Sequence, residues 1–401
     1  MPNGYLTTTQ KEEILSTVRP MFSSASMEVI RQRHLKRDAS GTVVETPEQM
    51  FLRVAEHMAL PDKDFDANAD IAETTKVFYQ MMASIEFLPG SRILFEAGNE
   101  HLGQLASCFV LPIEDDLEQI FHSLKDAAIV QKRNGGVGYN FSKIRQKGAV
   151  VNGLSGVAAG PVHFLRTFSV ALSQVMQGSK RHGGNMGILN VNHPDILEFI
   201  DVKKEDGEIR NFNISVGVTR DFMENVRMDE EYDLVDPGTQ EVVARLRARD
   251  VFNHIVENAW RSADPGMIFL DEVQDKNPTP ELGVMDATNP CGEQPLLPYE
   301  SCNLGSLILS TFVENGEIQW DRMKRTMHTA VHFMDNMLEI NNFPLPQIEH
   351  TVRFGNRKIG IGIMGFGHML YKLHIPYNSP EAVKLAEKIM KFLNADGHKA
   401  S

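Results

Sequence analysis

Apolar residues recur at helical spacing over Met50, Phe51, Val54, Ala55 and Met58, which predicts one buried helix face. Ahead of them Thr46, Pro47, Glu48 and Gln49 form a capping box with proline at the first helical position. The helical pattern extends over residues 1–85. From residue 86 the periodicity shortens. Pro89 and Gly90 punctuate the chain, and the run 106–111 is apolar, favours strand and ends at Pro112. Asp115, with Glu118 three positions on, predicts a helix N-cap, and Leu117, Ile120, Phe121 and Leu124 its buried face. Lys132, Arg133, Asn134 and Gly135 close that helix, with cations at its negative end and residues tolerant of left-handed backbone after it. A second helix is expected from residue 161 to about 176. Alternation of Phe212, Ile214 and Val216 predicts a half-buried strand over 211–218. Asp250 is read as the cap of a helix burying Phe252, Ile255, Ala259 and Trp260, and 267–270 as the next strand. A long helix follows at about 320–342, then a glycine-rich strand after Lys358 that lets neighbours approach closely. The last helix opens at Ser379, Pro380 and Glu381.

At 401 residues, 42% hydrophobic and 23% charged, the chain has the make-up of an ordinary soluble globular protein of one or two domains. A net charge of −13 argues against a nucleic-acid polymer as partner, because such a partner requires a broad cationic surface. Three cysteines without a CxxC pair make neither a disulfide framework nor a zinc knuckle and fit a reducing cytoplasm. No signal-type apolar run opens the chain, and the uncharged stretch at 149–165 is broken by Gly, Asn, Ser and Pro, so no membrane span is expected.

Two of the three cysteines fall in residues 289–306. Cys291 stands between Pro290 and Gly292, a pairing that excludes regular helix and favours an exposed turn. Glu293 follows two positions later, Asn289 precedes, and Pro295 and Pro298 keep the chain extended toward Cys302, which opens an apolar run read as a buried strand. Cysteines at such positions are most often small core residues. A thiol and a carboxylate sharing one loop tip instead suggest a reacting sulfur beside a proton-transferring group. Gly135, Gly136 and Gly138 make a glycine-rich turn, a weak phosphate signal alone. Two basic loops, 142–148 with Lys143 and Arg145 and 177–185 with Lys180 and Arg181, can bring cations and backbone N–H groups onto phosphate oxygens or be solvated turns.

Asn289-Pro290-Cys291-Gly292-Glu293 followed by Ser301-Cys302-Asn303-Leu304-Gly305-Ser306 closely resembles the finger loop and adjoining strand of the ribonucleotide reductase catalytic subunit. The likeness runs from about residue 25 to the end. It implies a ten-stranded α/β barrel of two five-stranded halves, with a finger loop threaded through the middle. On that pattern a helical domain at 1–85 precedes a catalytic barrel at 86–401. Residues 86–285 supply the first half, 286–300 the finger and 301–401 the opening strands of the second, so the barrel is incomplete and the sequence looks like the front portion of a longer protein. The resemblance further implies reduction of the ribose 2′-hydroxyl. Cys291 becomes the thiyl radical, Glu293 the general base and Asn289 an orienting group. Cys108 and Cys302 are the reducing pair, and Ser107 a substrate hydrogen-bonding residue. Arg145, Lys180 and Arg181 fall in the loops that sense a deoxynucleoside triphosphate effector, and Asp115 where the family's carboxylate for the effector ribose lies.

The segment 21–45 and the short spacing from Cys291 to Cys302 resemble the adenosylcobalamin-dependent branch. A radical from a separate dimetal subunit is the alternative. The expected partners are a ribonucleoside di- or triphosphate substrate, a thioredoxin- or glutaredoxin-type reductant and a second copy of the chain in a homodimer. Arg92 and Ile93 depart from the family's usual Pro-Thr pair, which leaves one substrate contact without its side chain. Two other readings are a nucleotide-binding regulatory protein that has lost catalysis and, with poor ligand spacing, a thiol-dependent metal protein.

Overall fold

A computed structural model describes residues 6–99, 103–151, 157–177, 181–204 and 209–401, with the side chains of 176, 177, 181 and 182 outside the description. The chain forms two compact units, one of residues 1–106, 303–343 and 352–401, the other of 107–302 and 344–351.

The first unit is mainly helical. The helix Pro47–Ala59 starts at Thr46 with both capping-box bonds made, and buries all five residues of the expected face. It packs with the helices Ile71–Ala83 and Trp320–Ile340, where Phe78 and Phe87 each meet Phe333 edge to face. A three-stranded sheet joins Phe87–Pro89, antiparallel, to Leu304–Ile308, which pairs in parallel with Gly360–Met364. The last helix, Pro380–Ala400, is capped by Ser379.

The second unit is built on a six-stranded sheet. Its strands are β1 (Cys108–Val110), β2 (Gly136–Asn140), β3 (Asn185–Asn190), β4 (Phe212–Val218) and β5 (Gly266–Phe269), all parallel to their neighbours. A two-residue hairpin pair, β6 (Ala287–Thr288) and β7 (Pro295–Leu296), follows in the chain. The edge strand β8 (Ser301–Cys302) then runs antiparallel to β1. Helix α1 (Leu117–Lys132) links β1 to β2, and α2 (Pro161–Ser173) lies between β2 and β3.

Because side chains alternate across a strand, the sheet has two distinct faces. Tyr139 and Phe212 point to one, where they pack with Phe141 and with Phe168 of α2. Val110, Met186, Ile188 and Cys302 point to the other and form a cluster with Ala287 and Leu296 of the hairpin.

Four local expectations need correction. The cap of α1 is Asp116, whose carboxylate accepts from Gln119 N at 3.0 Å, not Asp115. Leu117 and Phe121 are 61% and 50% exposed, and the buried face is Ile120, Ser123, Ala127 and Val130; the apolar spacing fits either stripe, and packing selects the one carrying small residues. Helix Ala248–Ser262 is preceded by Arg247, with Asp250 inside its first turn, and buries Val251 and Ile255 while Trp260 stays outside. The apolar run after Cys302 is not one strand: Ser301–Cys302 and Leu304–Ile308 belong to different sheets.

Candidate active site

Residues 287–296 fold as a hairpin because the turn chemistry leaves no alternative. Gly292 N donates to Asn289 O at 3.0 Å, closing a turn around Pro290 and Cys291. Gly292 sits at φ 84°, a left-handed conformation that glycine takes without strain. Asn289 clamps the hairpin from within, its N donating to Gln294 O at 3.1 Å and its Oδ1 accepting from Gln294 N at 3.0 Å.

The hairpin lies against the sheet along β2, which bends the role expected for the glycine-rich segment. Gly136 and Gly138 lie in a strand, not a phosphate-binding turn, and two apart they share one face. A Cβ on Gly138 would overlap the Thr288 carbonyl oxygen, and one on Gly136 would stand 2.7 Å from the Pro290 ring. The missing side chains therefore make the room in which the hairpin lies. At its base Asn140 Nδ2 donates to Asp286 O at 2.7 Å; near its tip Asn213 Nδ2 donates to Pro290 O at 2.7 Å.

This seating gathers the expected residues. Cys108 and Cys302 are register partners on β1 and β8. Directly opposed residues in an antiparallel pair have Cα atoms about 4.5–5.5 Å apart, within the ~4.4–6.8 Å range a disulfide requires. Cys108 is also the register partner of Gly136, the residue over which Pro290 sits, so Cys291 follows one residue after a point a single strand spacing from Cys108. Asn289, wholly buried, donates through Nδ2 to the Cys108 sulfur at 3.5 Å. Cys291 and Glu293 are exposed at the tip. Ser107 is half-buried, its N donating to Cys302 O at 3.3 Å and its O accepting from Gly136 N at 2.8 Å.

The sulfurs differ in setting. Cys291 is exposed, Cys108 intermediate and Cys302 buried, and no disulfide links them. The Cys302 thiol is pushed well above its ordinary value, first by its hydrogen bond to Cys108, then by burial and by the charges of Cys108 and Glu293. Such a thiol is held in its neutral form. That Glu293 is felt at Cys302 while Asn289 bonds Cys108 means that the residues flanking Cys291 reach both strand cysteines.

Asp115 and Arg145 also meet, Arg145 Nε donating to Asp115 Oδ2 at 2.7 Å. Asp115 lines a cavity of about 520 Å³ with Glu114, Asn140, Lys143, Gln240 and Asp286. Burial raises the Asp286 carboxyl, an effect opposed by Lys143. Lys180 lies outside the described residues; Arg181 has its backbone in a short strand with His182, but its side chain lies outside the description. No group of three or more His, Cys, Asp or Glu among the described residues has a metal-holding arrangement, and none of their helices is long and apolar enough to cross a membrane. Sequence reasoning missed Asn213; the spacing of Gly136 and Gly138 was the available signal for a close approach.

Comparison with known proteins gives a consistent result. The family model for the ribonucleotide reductase barrel domain matches residues 106–401, and that for the ribonucleotide reductase all-alpha domain matches 20–101. A vitamin B12-dependent ribonucleoside-diphosphate reductase of Thermoplasma acidophilum is 42% identical over 432 residues, covering 94% of this chain and 56% of the relative. One from Mycobacterium tuberculosis is 41% identical over 381 residues, covering 95% and 55%. The ribonucleoside-diphosphate reductase subunit alpha of Chlamydia muridarum is 28% identical over 401 residues, covering 91% and 37%. The chain thus spans about half the length of the first two.

Proposed function

The chain belongs to the ribonucleotide reductase large-subunit family, and from that premise we propose that it carries the radical-forming and reducing cysteines of an enzyme that converts ribonucleotides to 2′-deoxyribonucleotides. The observation that carries this reading is the register pairing of Cys108 with Cys302 beside a hairpin whose Asn289 bonds the Cys108 sulfur. Since its relatives are named diphosphate reductases, a ribonucleoside diphosphate is the proposed substrate.

Side chains alone do not readily generate a thiyl radical, so a cofactor must. The exposed Cys291 fits that need, standing at a turn tip open to a radical source. When bound, adenosylcobalamin supplies homolysis of its carbon–cobalt bond; it is the proposed group because the relatives at 41–42% identity are named vitamin B12-dependent. Having lost its thiol hydrogen, Cys291 takes the hydrogen from C3′ of the ribose. Glu293 accepts the 3′-hydroxyl proton as general base, and the 2′-hydroxyl leaves as water. Cys108 and Cys302 together give two electrons and two protons and close a disulfide, and Cys291 returns the hydrogen to C3′. Net, one ribonucleotide and two thiols become one deoxyribonucleotide, one water and one disulfide.

Around this centre the cavity at Asp115 and Lys143 is the proposed place for a deoxynucleoside triphosphate effector. The exposed Leu117 and Phe121 of α1, with Val170 of α2, suit a dimer contact. A thioredoxin- or glutaredoxin-type protein in the cytoplasm is the proposed reductant. The test is turnover of the complete enzyme with adenosylcobalamin as the only added radical source: Cys291→Ala should abolish deoxynucleotide formation with unchanged thermal melting. Retained turnover overturns the reading.

A further inference from the structure

The turn that presents Cys291 is held by the sheet beneath it and not only by its own bonds. Asn213 is on β4 at the register position of Met186. By the alternation of the strand it faces the hairpin, since its neighbour Phe212 stacks with Tyr139 on the other side. Its Nδ2 donates to Pro290 O at 2.7 Å. That oxygen belongs to the peptide plane shared by Pro290 and Cys291, so fixing it fixes the plane from which the Cys291 side chain departs. The proline ring is held by shape. A Cβ on Gly136 would come within 2.7 Å of it and one on Gly184 within 3.4 Å, so the start of β2 and the residue just before β3 present bare backbone to the ring. Cys291 itself is exposed at the tip of this turn.

We propose that Asn213 is a positioning residue for Cys291, orienting the thiol through the Pro290 carbonyl while Gly136 and Gly184 seat the proline ring. This rests on the reading of Cys291 as the radical site only for its kinetic consequence; the geometric consequence stands alone. Asn213 is exposed, so its substitution should leave global stability nearly unchanged. A thiol displaced by about 1 Å should lose on the order of 10²-fold in kcat with little change in KM.

The test compares Asn213→Ala, Asn213→Asp (same shape, no donor) and Asn213→Gln (donor kept). The full chain is labelled at Cys291 with a trifluoromethyl ketone and read by fluorine NMR, the labelled site being verified by peptide mass. The parent chain should give one narrow resonance. The Ala and Asp variants should split or broaden it at unchanged melting temperature, and Gln should restore a single line. In the complete enzyme, Ala and Asp should lose about 10²-fold in kcat with KM within about twofold. An unshifted single resonance in both Ala and Asp overturns the proposal, as does full kcat in these variants when Cys291→Ala is inactive. If Cys291→Ala itself keeps turnover, the proposed function falls, and the resonance alone then decides the role of Asn213. Should both donor-lacking variants fail to fold, Gly136→Ala carries the same test: a displaced proline ring shifts the resonance, and an unshifted line overturns the seat.

Discussion

Replacing Gly138 by alanine adds one methyl group, and the structure says where it must go. The Cβ would occupy the space of the Thr288 carbonyl oxygen, and Gly138 lies in an interior strand bonded on both sides, so β2 has no freedom to retreat. The hairpin must lift instead. Overpacking of this kind costs about 1–3 kcal/mol. Lifting also withdraws Leu296 from its cluster with Met186, Ile188 and Cys302, which forfeits about 1.5–3 kcal/mol for a buried leucine. Together these give about 4 kcal/mol, or on the order of 10 °C in the melting temperature of a unit this size. Thermal denaturation by circular dichroism measures the loss. Iodoacetamide labelling with peptide mass analysis then tests its location, because Cys302, only 5% exposed in the native protein, should become reactive before the global transition. A variant that melts with the parent and keeps Cys302 protected would refute the argument that the hairpin is seated by absent side chains.

Two further outcomes follow from the cysteine pair. The folded Cys302 thiol is raised well above its ordinary value, so the unfolded chain loses that proton at lower pH than the folded one; stability should fall as pH rises above about 8.5 toward the folded value, and Cys302→Ser should remove that part of the slope in denaturant titrations. Mild oxidation with diamide should join Cys108 to Cys302 within one chain, with loss of two hydrogens and with Cys291 still open to alkylation; a bond that uses Cys291, or none at all, would contradict the register.

Much of this site is legible in the sequence, for reasons that can be named. The turn at Cys291 follows from Pro290 and Gly292 alone, and the helix at Pro47 from its capping box, because both are local. The pairing of Cys108 with Cys302 is not local, and only the resemblance implied it; no spacing rule brings together strands so far apart in the chain. Helix faces fared worst where two stripes were equally apolar. On α1 the choice between Phe121 and Ala127 depends on what packs against it, and on Ala248–Ser262 the same ambiguity put Trp260 inside when it is 85% exposed. Gly136 and Gly138 were visible as glycines, but their use, making space for another segment's backbone, requires knowing that the segment arrives. Asn213 gave no signal at all, since a polar residue alternating with apolar ones reads as solvent-facing.

The unequal exposure of the two strand sulfurs dictates the direction of electron traffic once they are oxidised. An incoming thiolate meets Cys108, the accessible partner, and Cys302 must depart as the leaving group. Exchange is slow when the departing sulfur holds its proton tightly, and burial and the Glu293 charge, which remain when Cys108 is bonded to another sulfur, favour the protonated form of Cys302. A donor thiol that hands a proton to Cys302 as the bond opens should therefore reopen the pair faster than one that does not.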